Sequence, residues 1–211
     1  MTFRDLYEYV LSLGRRPEFW ELCERIKLQH PQVCEITVHE VEIQDGVALG
    51  YVVFFDRRLG LHEDADTLCA IRVGEHLDKT QTRFVSTKEL MHAFDEPEEQ
   101  VDDASRFKTL LKEFEHSTLR EDVSPMLSSE WDAEWMAMAI LCPKPLRDVA
   151  KAEWEADPGA AYEIALRCGI PEEYISNLFG DYYDRALETL LQRGIYEEPA
   201  PDVGEEARLV D

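Results

Sequence analysis

The chain has 211 residues, 45% of them apolar, with ten Gly and ten Pro, an ordinary globular composition that is long enough for one sizeable core. Its 45 acidic against 22 basic residues give a net charge of −23, a field that repels nucleic-acid phosphate and anionic lipid and speaks against direct binding of either. No apolar run reaches the roughly 18–20 residues of a membrane span, and Met1-Thr2-Phe3-Arg4-Asp5 is not a basic-then-apolar leader, so a soluble cytoplasmic protein is expected.

In chain order, Leu6, Val10 and Leu13, then Phe19, Leu22, Cys23 and Ile26, recur at helical spacing, with Gly14 and Pro17 as punctuation between two helices. β-Branched and aromatic residues follow: Val33 to Ile43, the turn signal Gln44-Asp45-Gly46, then Val47 to Phe55, which together predict a β-hairpin. Its first arm shifts phase near His39, as a bulge would. The second arm is apolar on both faces and is expected inside a sheet. A third strand is predicted over Thr67 to Val73.

The helical period then takes over at Phe84–Phe94, Asp103–His116 and Ser128–Leu141, the last stopped by Pro143 and Pro145. Shorter helices are expected over Arg147–Ala156, Gly159–Cys168, Pro171–Phe179 and Asp181–Arg193. The acidic run from Asp95 to Asp103 reads as a solvated inter-helix loop, and the acidic stretch 196–211 as a disordered tail. The expected organisation is a single α+β domain over residues 1–195: N-terminal helices in 1–30, a mainly antiparallel three-stranded sheet in 33–73, and a helical part in 83–195. Cys23, Cys34, Cys69, Cys142 and Cys168 are odd in number, widely spaced and without a Cys-x-x-Cys pair, so buried reduced thiols are expected.

The segment Lys88-Glu89-Leu90-Met91-His92 reproduces a His-Glu-x-x-His pattern except for its first residue. That pattern binds zinc because residues four apart share a helical face, while the glutamate beside the first histidine polarises the metal-bound water. A lone Glu-x-x-His arises easily by chance. Two further features accompany it here: Arg83-Phe84 lies just before it, and downstream stands Glu130-Trp131-Asp132-Ala133-Glu134-Trp135-Met136-Ala137-Met138-Ala139-Ile140-Leu141-Cys142-Pro143.

On these two segments the chain resembles the ImmA/IrrE family of zinc metallopeptidases. Arg83, Phe84, Glu89, Leu90 and His92 match the family's first motif helix; Glu130, Ala133, Ala137, Leu141 and Pro143 match its second, and the similarity extends over about residues 67–190. The resemblance implies a zincin-like core with a zinc cleft between the two helices, acting on a protein such as a transcriptional regulator. By position it implies His92 and Glu130 as metal ligands and Glu89 as general base. Lys88 departs from the pattern at the first ligand, and Glu134 and Met136 depart elsewhere.

An ammonium has no lone pair, so Lys88 cannot ligate zinc in its charged form. Two arrangements stay open for it: an ion pair between Glu130 and Glu89 that stands in for the metal's charge, or a chain that reaches out to water. His62 and His76 flank the third strand as candidate replacement ligands. Trp131 and Trp135, four apart on the second motif helix, read as packing or as the wall of a peptide groove; Tyr182 and Tyr183 read as packing, and His116 as a favourable charge at a helix C-terminus. Three functions compete: a degenerate ImmA/IrrE-like protein that has lost or weakened its zinc and binds another protein; an active zinc endopeptidase with an unrecognised third ligand; and an acidic decoy for a basic or nucleic-acid-binding protein.

Overall fold

A computed structural model of the chain describes residues 1–31, 33–43, 48–57, 66–101, 104–116 and 123–194. The fold is mixed α+β: helices α1 (Phe3–Leu13) and α2 (Phe19–Gln29), strands β1 (Val33–Val41), β2 (Gly50–Arg57) and β3 (Asp66–Gly74), then helices α3 (Lys79–Met91), α4 (Ala104–His116), α5 (Pro125–Leu141), α6 (Lys144–Ala156), α7 (Ala161–Cys168), α8 (Ile175–Phe179) and α9 (Tyr182–Gln192). No described helix is long and apolar enough to cross a membrane. The predicted hairpin turn, His62 and the 196–211 segment lie outside the described residues.

Local chemistry sets the helix ends. Thr2 caps α1 by accepting from the Asp5 N–H while the Asp5 carboxylate accepts from the Thr2 N–H, and Gly14 closes the helix at φ 61°, a left-handed conformation that a side chain would strain. Asp78 accepts from the N–H groups of Thr80 and Gln81, which starts α3 five residues before the periodicity predicts. Ser124 at the N-cap and Pro125 at the first position start α5, and Cys142-Pro143 ends it.

The three strands run β1-β3-β2 across a mixed sheet, with β1 parallel and β2 antiparallel to β3. The expected hairpin, and a mainly antiparallel sheet, are therefore corrected: β3 inserts between the two arms. Cys69, Ile71 and Val73 on one face of β3 and Ala70 on the other are all buried, so this strand satisfies the demand for two covered faces. β2 is an edge strand, with Tyr51 and Phe55 42% and 47% exposed on its outer face while Val52 and Phe54 pack inward. The irregularity in β1 lies between Val33 and Glu35 rather than near His39, which is exposed.

The main core joins α1, α2, the sheet, α3, α5 and the later helices; a second cluster of Leu110, Met126 and Leu127 ties α4 to the start of α5. Helix α3 packs on α5, β3, β2 and α2. That encirclement buries even its polar Ser86, Thr87 and Glu89 and explains why its sequence lacks a clear apolar stripe. Cys34 is exposed, against expectation, whereas the other four cysteines are buried thiols.

Candidate functional site

Helices α3 and α5 present their two motif segments to one another across a cleft of about 540 Å³, whose other walls are β2, Phe84, Phe107 and Tyr174. Gly50 lets β2 approach the floor. A Cβ there would lie 2.4 Å from Val85 Cγ1 and 2.8 Å from the Arg72 carbonyl oxygen.

In the wall of the cleft the Lys88 ammonium donates to Glu130 Oε2 on α5 and, at 3.2 Å, to Glu89 Oε1 beside it on α3. Of the two arrangements left open for Lys88 by its sequence, this is the ion-paired one. The three side chains are only 16%, 4% and 18% exposed for Lys88, Glu89 and Glu130. Burial alone would lower the Lys88 pKa, but the two carboxylates outweigh it and the ammonium is held charged. For Glu130, burial would raise the pKa; the charges of Lys88 and His92 prevail and hold it below the usual carboxylate range.

His92 lies one residue past α3, in a 3-10 turn running to Phe94. Its Nδ1 is 2.7 Å from Asp95 Oδ2, and its Nε2 faces Glu130 Oε1 at 3.6 Å and Glu89 Oε2 at 4.0 Å. That nitrogen is buried without a hydrogen-bond partner among the described residues. Burial opposes charge on the ring, but the Asp95 bond and the surrounding carboxylates raise its pKa above the ordinary histidine value.

A supporting layer follows. Ser129 Oγ donates to Asp95 Oδ1 at 2.7 Å, and Arg193, just past α9, pairs with Glu99 and with Asp132 at 2.9 Å while its guanidinium stands 3.9 Å from Asp95. The Asp95–Asp103 run is therefore corrected in part: the Asp95 side chain is 3% exposed and belongs to the site, and Glu99 is held by Arg193. Tyr174 lays its ring 4.4 Å from Phe84 and donates to Glu134 Oε1 at 3.4 Å. Burial, then the neighbouring Glu134, push the Tyr174 hydroxyl up to about 12.

Glu89, His92 and Glu130 thus come together with Lys88. His76 is exposed against Gly74 and stands apart from them. Trp131 packs on the smaller apolar cluster and Trp135 on the main core, Tyr183 is buried, and Tyr182 is 44% exposed rather than packed away. Asp95 lay within reach of sequence reasoning, three residues after His92 on a helical turn; Arg193, 101 residues beyond His92, carried no such signal.

The donor set that converges here is one imidazole nitrogen and the carboxylate oxygens of Glu130 and Glu89, with an ammonium already seated on both carboxylates. Among the described residues no group of three or more His, Cys, Asp or Glu is placed to hold a metal ion. Searches of protein-family models, curated proteins and solved structures find no match for the chain.

Proposed function

We propose that the chain is a degenerate ImmA/IrrE-like protein that binds another protein through the cleft between α3 and α5 and no longer works as a zinc peptidase. The observation that carries this reading is the Lys88 ammonium seated on Glu130 and Glu89. A catalytic zinc takes three protein ligands and a water. Here the residues do not fit: a positive charge occupies the face where the first ligand belongs, one implied ligand is neutralised by it, and the residue implied as general base has one oxygen committed to it.

The same charge offers a structural reason for retaining the arrangement. Glu89 and Glu130 would be unfavourable at this depth without a cation, and Lys88 supplies one on the chain itself. What remains is an apolar-walled cleft beside an open strand edge, a shape suited to a segment of a partner protein such as a transcriptional regulator.

The test is the metal content of purified protein after zinc loading and desalting, wild type beside Lys88→His, with peptidase assays on both. Wild type should hold far less than one zinc per chain, and the histidine variant should gain it. Stoichiometric zinc in the wild type overturns the reading in favour of an active endopeptidase.

A further inference from the structure

Where the C-terminal ends of α5 and α7 meet, the structure assigns Cys142 and Cys168 as a redox-modification site, a dithiol that a peroxide converts to a reversible disulfide joining the two helices. The site shares no residue with the Lys88 centre and stands whether or not the chain binds zinc.

The backbone builds the pair. Cys142 caps the C-terminus of α5, its N–H donating to the Met138 carbonyl at 2.9 Å, and Cys168 is the last residue of α7. Arg16 donates to the carbonyl oxygens of Arg167 at 2.9 Å and Leu166 at 3.4 Å, which fixes the end of α7. The two thiols, 26 residues apart in sequence, therefore face one another inside the core with 3.2 Å between their sulfurs, and Cys142 donates its S–H to Cys168 Sγ. A disulfide bond is about 2.05 Å long, so closing it takes a movement of roughly 1.2 Å, the scale of a small side-chain rotation.

The surroundings make the two sulfurs unequal. The hydrogen bond from Cys142, with the guanidinium groups of Arg167 and Arg16, outweighs burial and holds the Cys168 thiol below its ordinary pKa; donating that bond, and burial, push the Cys142 thiol far up. The thiolate is the nucleophile. Cys168, which keeps 6% exposure against 0% for Cys142, is thus the sulfur that meets the oxidant first. It attacks one oxygen of hydrogen peroxide; the O–O bond breaks, Cys168 becomes a sulfenic acid, and the departing hydroxide takes the Cys168 proton and leaves as water. The Cys142 sulfur then attacks the sulfenic sulfur, the S–O bond breaks, and the second hydroxide leaves as water with the Cys142 proton. One peroxide is reduced to two waters while two thiols are oxidised to one disulfide. The bond closes a loop that carries α6 and α7 and pins both to α5; Tyr174, a wall of the cleft, follows just beyond it.

The test uses the full chain, reduced, desalted and treated with a small molar excess of hydrogen peroxide without denaturant, beside Cys34→Ser, which removes the exposed thiol. Remaining thiols are alkylated in denaturant and the tryptic peptides mapped by mass. A link between Cys142 and Cys168 should form in both proteins and disappear with dithiothreitol. The oxidised chain should melt roughly 5–12 °C higher than the reduced one, and Cys168→Ala should lose both the link and the shift; should that variant misfold, the link and shift in the first two proteins decide. Full alkylation after peroxide, a link that forms only in urea, pairing with Cys23, Cys34 or Cys69 instead, or sulfinic acid at Cys168 without a link overturns the site. A link without a melting shift overturns the pinning of α6 and α7.

Discussion

Lys88→Ala removes the single ammonium that Glu130 and Glu89 share. Deleting one partner of a buried ion pair costs about 3–5 kcal/mol, because the remaining charge stays desolvated. Lys88 and Glu130 retain 16% and 18% exposure, and water reaching them reduces that loss to about 3 kcal/mol. For a chain of this size that is a fall of roughly 6–12 °C in melting temperature. The pH dependence gives a second reading of the same cause. Glu130 titrates below its unfolded value of about 4.3, so its contribution is present above that pH and is lost as pH falls through the lower folded value. In the variant, burial acts on Glu130 without the ammonium, the carboxyl takes up its proton at higher pH, and the deficit shrinks towards pH 4. Urea and thermal unfolding of wild type, Lys88→Ala and Lys88→Ala with Glu130→Gln at pH 7 and pH 4 measure this, the second change restoring part of the loss. Melting temperatures within about 1 °C at pH 7, or a deficit that does not change with pH, would refute the ion-pair argument.

Gly50→Ala should destabilise by about 1–3 kcal/mol, since the new methyl meets the Arg72 carbonyl oxygen and Val85 and must move β2 off α3; faster proteolysis of the β2 edge would report it. Arg193→Ala should cost about 1–3 kcal/mol by leaving Asp95, Glu99 and Asp132 without their shared cation, measured by urea midpoint, and Arg193→Lys should recover only part of it. His30 is held below its ordinary pKa, first by burial and then by the N-terminal amine, and its Nδ1 accepts from the Val33 N–H at 3.1 Å. Its neutral form is the native one, so stability is full above the unfolded value of about 6.5 and falls as pH drops through the window below it. His30→Gln should lose less than wild type between pH 7 and pH 5, and parallel losses in urea titrations would refute the assignment.

The helices were legible because their apolar spacing agrees with burial: Leu6 and Val10 of α1, and Ala133, Ala137 and Ile140 of α5, all lie in the core. Strand order was not. Gln44-Asp45-Gly46 between two β-rich runs signals a hairpin locally, but the sheet is ordered by which strand can bury both faces, and β3 does so with Cys69, Ala70, Ile71 and Val73. At the site, the meeting of Glu89, His92 and Glu130 was an expectation carried by the family resemblance of two short motifs, and the ion pair of Lys88 with the two carboxylates was one of two arrangements that the sequence left open. Arg193 and Tyr174 were invisible because their partners are fixed by how α8 and α9 dock, which no local pattern encodes.

The docking of α9 governs when the molecule can be completed. Arg4 on α1 donates to the Leu191 carbonyl at 2.8 Å, Lys144 at the head of α6 pairs with Asp184 at 2.7 Å, and Arg193 neutralises carboxylates on the turn after α3 and on α5. During synthesis part of the surface of the first helix therefore waits for the last described helix, and Asp132 and Glu99 emerge more than 60 residues ahead of Arg193. Contacts so distant in sequence slow folding. The cleft should gain its native shape as a late event, after residue 193 has left the ribosome, leaving a nascent chain whose aromatic and acidic surfaces are open to chaperones until then.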